Sequence, residues 1–235
     1  NTGGAVIALT RSGSNDFKGG ANVYWQPDKL RNDSPNTYLQ NNKLDENESI
    51  EGNIWASGPI IKDRLFFFAF FNPRDFYTAN TSRGLNENDE YENQVLTETF
   101  LKNPFYGGKL DLNLFDGHRV EATYFNDNQS QDIRTFNYGT GDIGTTTNYS
   151  GGSNMIFRYT GSFTDWFTLS GLYGKSKFNQ TSAGSQDGQP SVIDGRLGST
   201  AVISGNPNLT IETGRDVREN YRIDADITFS VLGDH

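Results

Sequence analysis

Strict alternation of polar and apolar residues marks the stretch YRIDADITFS, residues 221–230. The odd-numbered positions carry the apolar side chains, namely Tyr221, Ile223, Ala225, Ile227 and Phe229. Successive side chains of a β-strand point to opposite faces, so this pattern predicts a strand with one apolar and one polar face. Its length, about ten residues, is what a tilted strand needs to cross a bilayer.

The same alternation recurs through the chain, clearly at residues 109–114, 119–124, 155–163 and 167–173, and more loosely at 17–26, 50–57 and 65–71. These segments predict eight barrel-like strands, with a further short strand before them at residues 5–11. The apolar face is predicted to carry Leu110, Leu112, Val120, Phe157, Leu169, Ile223 and Ile227, and the polar face Asp111, Glu121, Arg158, Asp224 and Asp226. Residues 65–71 are apolar on both faces, which predicts packing inward as well as outward.

Connections between these segments alternate between short and long. Tight turns are predicted at residues 59–63, 115–118 and 164–165, with another starting at Gly233-Asp234. Long polar loops are predicted at residues 27–49, 72–103, 126–153 and 176–220. In an up-and-down barrel this order places all short turns at one rim and all long loops at the other, as in outer-membrane barrels. A soluble sandwich has little reason to sort its loops by length.

Composition excludes several classes of protein. The longest wholly apolar run, residues 65–71, is too short for a membrane helix, which needs about 20 residues. The chain has no cysteine, which rules out disulfides and thiolate metal sites. Its formal net charge of −9 argues against a nucleic-acid partner, because phosphate binding requires a basic surface.

Two segments carry a resemblance to a known family. The stretch GGAVIALTRSGSNDFKG, residues 3–19, resembles the end of the plug domain and the first barrel strand of TonB-dependent receptors. The stretch GPIIKDRLFFF, residues 58–68, is similar to the first periplasmic turn of the Oar-like branch of that family. A third segment, GNPNL at residues 205–209, is similar to a loop motif of these receptors.

The resemblance implies a fold, a function and partners. Residues 1–16 would be the end of the plug domain, and residues 17–235 the first part of a transmembrane β-barrel of about 22 strands. Both termini read as cuts through a longer protein. The implied function is energy-coupled uptake of a scarce extracellular solute across the outer membrane of a Gram-negative cell. The implied partners are membrane lipid, an unknown ligand, and TonB, which would bind upstream of Asn1.

No catalytic, cofactor or metal site is predicted. The two histidines, His118 and His235, both fall at predicted tight turns, away from any converging nucleophile and acid. Asp224 and Asp226 are interpreted as part of a polar lumen wall that bonds to a plug through Arg222 and similar residues. Candidate ligand-binding residues are aromatic side chains in the predicted loops, which could stack on a sugar or another ring: Tyr38, Tyr77, Tyr91, Phe136, Tyr138 and Tyr149.

Two other classes fit parts of the pattern. A passive porin or an adhesin barrel without a plug would show the same strands but not the segment at residues 3–19. A secreted all-β binding module would also alternate, because its sheets too have one apolar face. It would require the regular sorting of loop lengths to be accidental.

Overall fold

A computed structural model of the chain describes residues 11–37, 42–85, 91–137, 143–184, 191–194, 202–205 and 213–229. Antiparallel β-structure dominates these ranges, which contain no α-helix and two single-turn 3-10 helices, Asp28–Leu30 and Asn42–Leu44. No helix in these ranges is long and apolar enough to span a membrane. Most of the predicted strand at 5–11, most of the GNPNL motif, and the Gly233-Asp234 turn lie outside the described residues.

Thirteen strands are described. In chain order they are β1 (Lys18–Gln26), β2 (Glu46–Ile61), β3 (Leu65–Asn72), β4 (Arg74–Leu85), β5 (Tyr91–Lys102), β6 (Phe105–Phe115), β7 (His118–Asn126), β8 (Gln129–Asn137), β9 (Ile143–Thr164), β10 (Phe167–Gly184), β11 (Ser191–Asp194), β12 (Val202–Gly205) and β13 (Thr213–Ile227). Strands β11 and β12 form a separate hairpin, and the other eleven form one antiparallel sheet.

Three pairs of these strands are each a single long strand with a short interruption. Strands β3 and β4 pair with successive parts of β2, and β7 and β8 pair with successive parts of β9. Between them, β6 pairs with β3 and β5 pairs with β4. The sheet is therefore a meander of eight long strands, the number predicted from the sequence. In the described ranges β1 pairs with β2 alone and β13 with β10 alone, so the eight strands do not close into a small barrel.

The interruptions lie side by side across the sheet. They fall at Pro73, at Pro104, at Asp127-Asn128 and at Gly151, which has a φ of 103°. Proline cannot donate to a strand ladder. The Gly52 N–H instead bonds the Pro73 carbonyl at 2.8 Å, and the Asp127 side chain accepts the Gly152 N–H at 2.9 Å. We call this line the seam: the sheet below it leads to the tight turns, and the sheet above it leads to the longer connections.

The short turns lie close to their predicted positions, at residues 62–64, 116–117 and 165–166. In the Asp116-Gly117 turn only the glycine has a positive φ, 77°, and a bulge lies just before the turn, between Asn113 and Phe115. The turn is therefore not the type with positive φ at both central residues that Asp-Gly often forms. The bulge supplies the twist that such a turn would otherwise provide.

The predicted long loops are the main error of the sequence analysis. Residues 72–103 contain β4 and β5, residues 126–153 contain β8 and the start of β9, and residues 176–220 contain the end of β10, the β11–β12 hairpin and the start of β13. The last four residues of the predicted loop 27–49 also belong to β2. Above the seam both faces of the sheet carry polar side chains, so the alternation that reveals a strand is lost.

Below the seam the predicted faces are confirmed by the register. Leu112 pairs with Val120, Ala122 with Phe157, and Gly171 with Ile223, which places these side chains on one face. Asp111 pairs with Glu121, and Glu121 with Arg158, on the opposite face. All seven residues predicted for the apolar face lie together, and all five predicted for the polar face lie on the other side.

The apolar face has no layer packed against it. Among the described residues Ala79 is the one buried hydrophobic side chain, whereas Ile223 is 80% exposed and Tyr221 74% exposed. A soluble β-sandwich buries the apolar faces of two sheets against each other. This single-layer sheet does not, so its apolar face requires a different apolar environment.

The upper edge of the apolar surface runs obliquely across the strands. On β13 the apolar row ends at Tyr221, above which Glu219 points to the same face. Cross-strand pairs lead directly from Tyr221 through Tyr173, Phe157, Ala122, Leu110 and Phe67 to Gly58. The ring of Phe17, directly before β1, lies over Gly58 and so ends this line of cross-strand pairs. On β1, however, the apolar row extends upward beyond Phe17 as far as Trp25.

This displacement gives the tilt of the strands relative to the apolar band. The band edge shifts by eight residues, from 17 to 25, over seven strand-to-strand steps. At about 3.3 Å per residue and about 4.8 Å per step, the slope is roughly 26 Å in 34 Å, or about 38°. Strands of outer-membrane barrels tilt by about 35–45°. The apolar band thus crosses the sheet at the angle of a membrane wall.

Candidate functional site on the inner face of the sheet

Charged side chains converge on one face of β6 and β7 below the seam. Lys109 Nζ lies 3.2 Å from Asp111 Oδ1 and 2.6 Å from Glu121 Oε1. Arg119 lies 2.6 Å from the same Asp111 oxygen and 3.3 Å from Glu121 Oε1. Asp111 is 1% exposed and Lys109 9% exposed, so the centre of this ion cluster is shielded from water. Each cation contacts both carboxylates, which offsets the cost of burying them.

The chain preceding the first strand crosses this face. Ser12 Oγ accepts hydrogen bonds from Lys109 Nζ at 3.0 Å and from the Arg119 guanidinium at 3.4 Å. The guanidinium of Arg11 lies 4.8 Å from the centre of the Trp55 ring, in cation–π geometry. We call the face crossed by residues 11–15 the inner face, and the face with the apolar band the outer face.

Gly13 brings this crossing segment directly against the strands. A Cβ at Gly13 would meet the Phe67 carbonyl oxygen at 2.5 Å and Phe66 Cβ at 2.9 Å. No other residue can approach the sheet backbone so closely. Two residues later, the Asn15 side chain bonds the turn at residues 62–64, after which Phe17 passes to the outer face and contacts Phe67. The two segments that carry the family resemblance, residues 3–19 and 58–68, thus touch each other.

An aromatic row lies beside the ion cluster on the inner face. Its members are Trp55, Phe68, Phe70, Phe105 and Phe125, with successive ring centres 4.9–6.2 Å apart. Phe68 and Phe70 come from the strand that is apolar on both faces. The expectation that this strand carries apolar side chains inward is confirmed by the structure. Part of the packing on that side comes from Arg11, whose guanidinium lies over the Trp55 ring at the end of the row.

Above the seam the inner face changes to neutral amides and hydroxyls. Gln129 donates to Ser150 Oγ at 2.6 Å, Asn148 donates to Gln131 at 3.2 Å, and Ser182 donates to Asn148 at 2.8 Å. These side chains line an open cavity of about 400 Å³ with no charged residue in its wall. Such a surface offers hydrogen-bond donors and acceptors but no net electrostatic attraction.

Four of the six predicted ligand-binding aromatics lie in strands and not in loops. Tyr77, Phe136 and Tyr149 lie on the outer face of β4, β8 and β9, and residue 91 begins β5. Tyr77 donates to Glu98 at 3.0 Å and packs on Phe100 at 5.0 Å. Burial and the nearby Glu98 carboxylate raise the pKa of Tyr77 to about 12. Tyr38 and Tyr138 lie outside the described residues.

The structure also describes the predicted turn residue His118 and the polar strand residues Arg222 and Asp224. His118 directly follows the Asp116-Gly117 turn, and its Nδ1 lies 2.7 Å from the Tyr159 hydroxyl. Arg222 and Asp224 lie together on the inner face, where Arg222 donates to Asp224 at 2.8 Å. Within the described ranges no three His, Cys, Asp or Glu side chains are placed to hold a metal ion. His235 lies outside those ranges.

The ion cluster as a unit was missed from the sequence, although a signal for it exists. Alternation by itself places Asp111, Arg119 and Glu121 on the polar face. Counting back from the Asp116-Gly117 turn would have paired Asp111 with Ala122, and it is the bulge between Asn113 and Phe115 that pairs Asp111 with Glu121. The contact with Ser12 depends on a segment about a hundred residues earlier, for which the sequence gives no such rule.

Fold and site define an antiparallel β-wall with an apolar outer face and an inner face partly covered by its own N-terminal segment. Over 105 residues the chain is 34% identical to a protein of Myxococcus xanthus named TonB-dependent transporter Oar. The match covers 42% of this chain and 10% of that relative. Over this stretch the similarity supports a relation to TonB-dependent transporters. No protein-family model matches the chain, and no solved structure matches it.

Proposed function

We propose that this chain is the N-terminal part of the barrel wall of a TonB-dependent outer-membrane transporter of the Oar-like branch. It would take up a scarce extracellular solute by energy coupling to TonB, with no enzymatic step. Residues 1–16 would end a plug domain, and strands beyond those described would close the barrel. The observation that carries this proposal is the oblique apolar band, whose slope of about 38° matches strands tilted in a membrane.

The inner face supports a plugged barrel over a passive porin. A water-filled pore leaves its inward side chains to solvent. Here Ser12 accepts hydrogen bonds from Lys109 and Arg119, the two cations of the ion cluster, and Gly13 lies directly against the strand backbone. A segment held this closely against the inner face is what a plug entering the wall would require. The lack of any buried apolar layer in the described ranges weighs against the secreted binding module.

The membrane part of the proposal is tested by labelling single cysteines in the full-length protein. A fluorophore at Leu110, Phe157 or Ile223 should be quenched by spin-labelled lipids. Matched labels at the inner-face neighbours Asn113, Thr160 and Asp224 should not be quenched. Equal quenching on both faces, or on neither, would overturn the membrane assignment.

The transport part is tested by depletion of solutes from the growth medium. Strains lacking this gene, lacking TonB, or lacking both should leave the same solute unconsumed, because the two proteins would act in one step. Restoring the gene should restore consumption only when TonB is present. Uptake that persists without TonB would favour a passive channel.

A further inference from the structure

We infer that Asn15 and Asp63 are positioning residues that fasten the N-terminal segment where it passes from the inner face into the wall. Their pairing is reciprocal. The Asn15 side-chain amide donates to Asp63 Oδ1 at 2.5 Å, and the Asp63 backbone N–H donates to Asn15 Oδ1 at 2.8 Å. One residue of the segment thus bonds both the side chain and the main chain of one residue in the turn.

The turn is built to present Asp63 in this way. Among described residues other than glycine, Asp63 is the one with a positive φ, 62°. Aspartate and asparagine tolerate this left-handed conformation better than other side chains. The turn is also held from the neighbouring hairpin, because Asn113 donates its side-chain amide to the Asp63 carbonyl at 3.2 Å and its N–H to the Arg64 carbonyl at 2.8 Å.

The pair fixes one end of a crossing whose other end is the ion cluster. Between the two, Gly13 leaves no room for a side chain against Phe66 and Phe67. Both Asn15 and Asp63 are exposed, so water could satisfy either residue alone. Their mutual hydrogen bonds therefore fix the position of the segment more than they shield polar groups from water. They set where the segment leaves the inner face, and so whether Ser12 reaches Lys109 and Arg119.

The test exchanges the two side chains in the full-length transporter and rests on the proposed function. Asn15→Asp places two carboxylates together and removes the amide donor. Combining Asn15→Asp with Asp63→Asn restores both hydrogen bonds, because the amide then carried at position 63 donates to the carboxylate at position 15. The backbone N–H of position 63 still donates to that carboxylate. Asp63→Asn alone keeps an amide–carbonyl pair. Asp116→Asn, in the neighbouring turn, is the matched control.

The readout is ion conductance of the purified protein in planar bilayers, with entry of a large hydrophilic antibiotic into cells as a second measure. Neither requires knowledge of the transported solute. Asn15→Asp should raise the open fraction about tenfold, the change expected when a hydrogen bond to a charged group is lost. The exchange variant should return to within about twofold of the wild type, and Asp116→Asn should not differ from it. Gly13→Ala should also leak and should not be rescued by Asp63→Asn.

The outcomes separate a failure of this inference from a failure of the proposed function. If Asn15→Asp and the exchange variant leak equally, the pairing is not what positions the segment, and the inference is overturned. It is also overturned if neither leaks while both insert as heat-modifiable barrels. If the wild type itself forms no lipid-embedded barrel, the proposed function fails instead, which the lipid-quenching experiment detects on its own.

Discussion

Below the seam, the two faces of the sheet face different environments, whereas above it they do not. The lower sheet has an apolar outer face and an inner face with an ion cluster and an aromatic row. The upper sheet continues the same strands with the same register, yet its inner face carries neutral amides and hydroxyls, and its outer face carries hydroxyls with scattered charges such as Glu98. Hydrogen-bonded pairing alone therefore does not dictate side-chain polarity, which follows the surroundings of each face.

This difference is functional under the proposed role. A wall in lipid must be apolar outside, and it must bond its plug inside. The extension above the membrane meets water on both sides, and its neutral inner surface faces the route by which a solute would enter. The seam marks the level at which the first requirement is replaced by the second.

The largest expected effect is loss of a charge from the lower inner face. Asp111→Ala would leave Lys109 and Arg119 with Glu121 as their remaining carboxylate in the cluster, and should destabilise the protein by about 3–5 kcal/mol. Above the seam, Gln131→Ala removes one neutral hydrogen bond and should cost about 0.5–1.5 kcal/mol. Unfolding midpoints of the full-length protein in detergent measure both. Similar costs would mean that the ion cluster is not a distinct feature.

A smaller effect should separate the two regions on the outer face. Leu110→Arg lies near the middle of the apolar band and should cost about 2–4 kcal/mol in lipid. Leu96→Arg lies on the same long strand and the same face above the seam, paired with Thr81 and Phe136. It should cost about 1 kcal/mol or less, because its environment is aqueous. Folding equilibria in lipid vesicles would give the comparison, and equal losses would contradict the position of the membrane.

The smallest expected effect is a change in the titration of Tyr77, which lies above the seam. The pKa of Tyr77, about 12 in the folded chain, exceeds its ordinary value of 10.0, chiefly through burial and then through Glu98. Its contribution to stability is therefore complete below pH 10 and is lost as the pH rises from 10 to 12. Tyrosinate absorbance should show a late-titrating component that Tyr77→Phe removes and Glu98→Gln shifts to lower pH. An unchanged titration curve in both variants would refute the Tyr77–Glu98 contact.

The lower sheet could be predicted from the amino-acid sequence. Eight strands, their two faces and the tight turns follow from the alternation, because a strand between an apolar and a polar environment must alternate at every position. The inward apolar character of residues 65–71 followed from the same rule. The segments at 3–19 and 58–68 could be recognised singly, as resemblances.

The remaining features depend on tertiary packing. The strands above the seam were predicted to be loops, because polar side chains occur on both of their faces and the alternation is lost. Tyr77, Phe136 and Tyr149 were placed in those loops for the same reason. Nor could the sequence reveal that Asn15 bonds Asp63 or that Ser12 reaches the ion cluster. Those contacts join residues about 50 and 100 positions apart, and only the packing of one segment across a finished sheet brings them together.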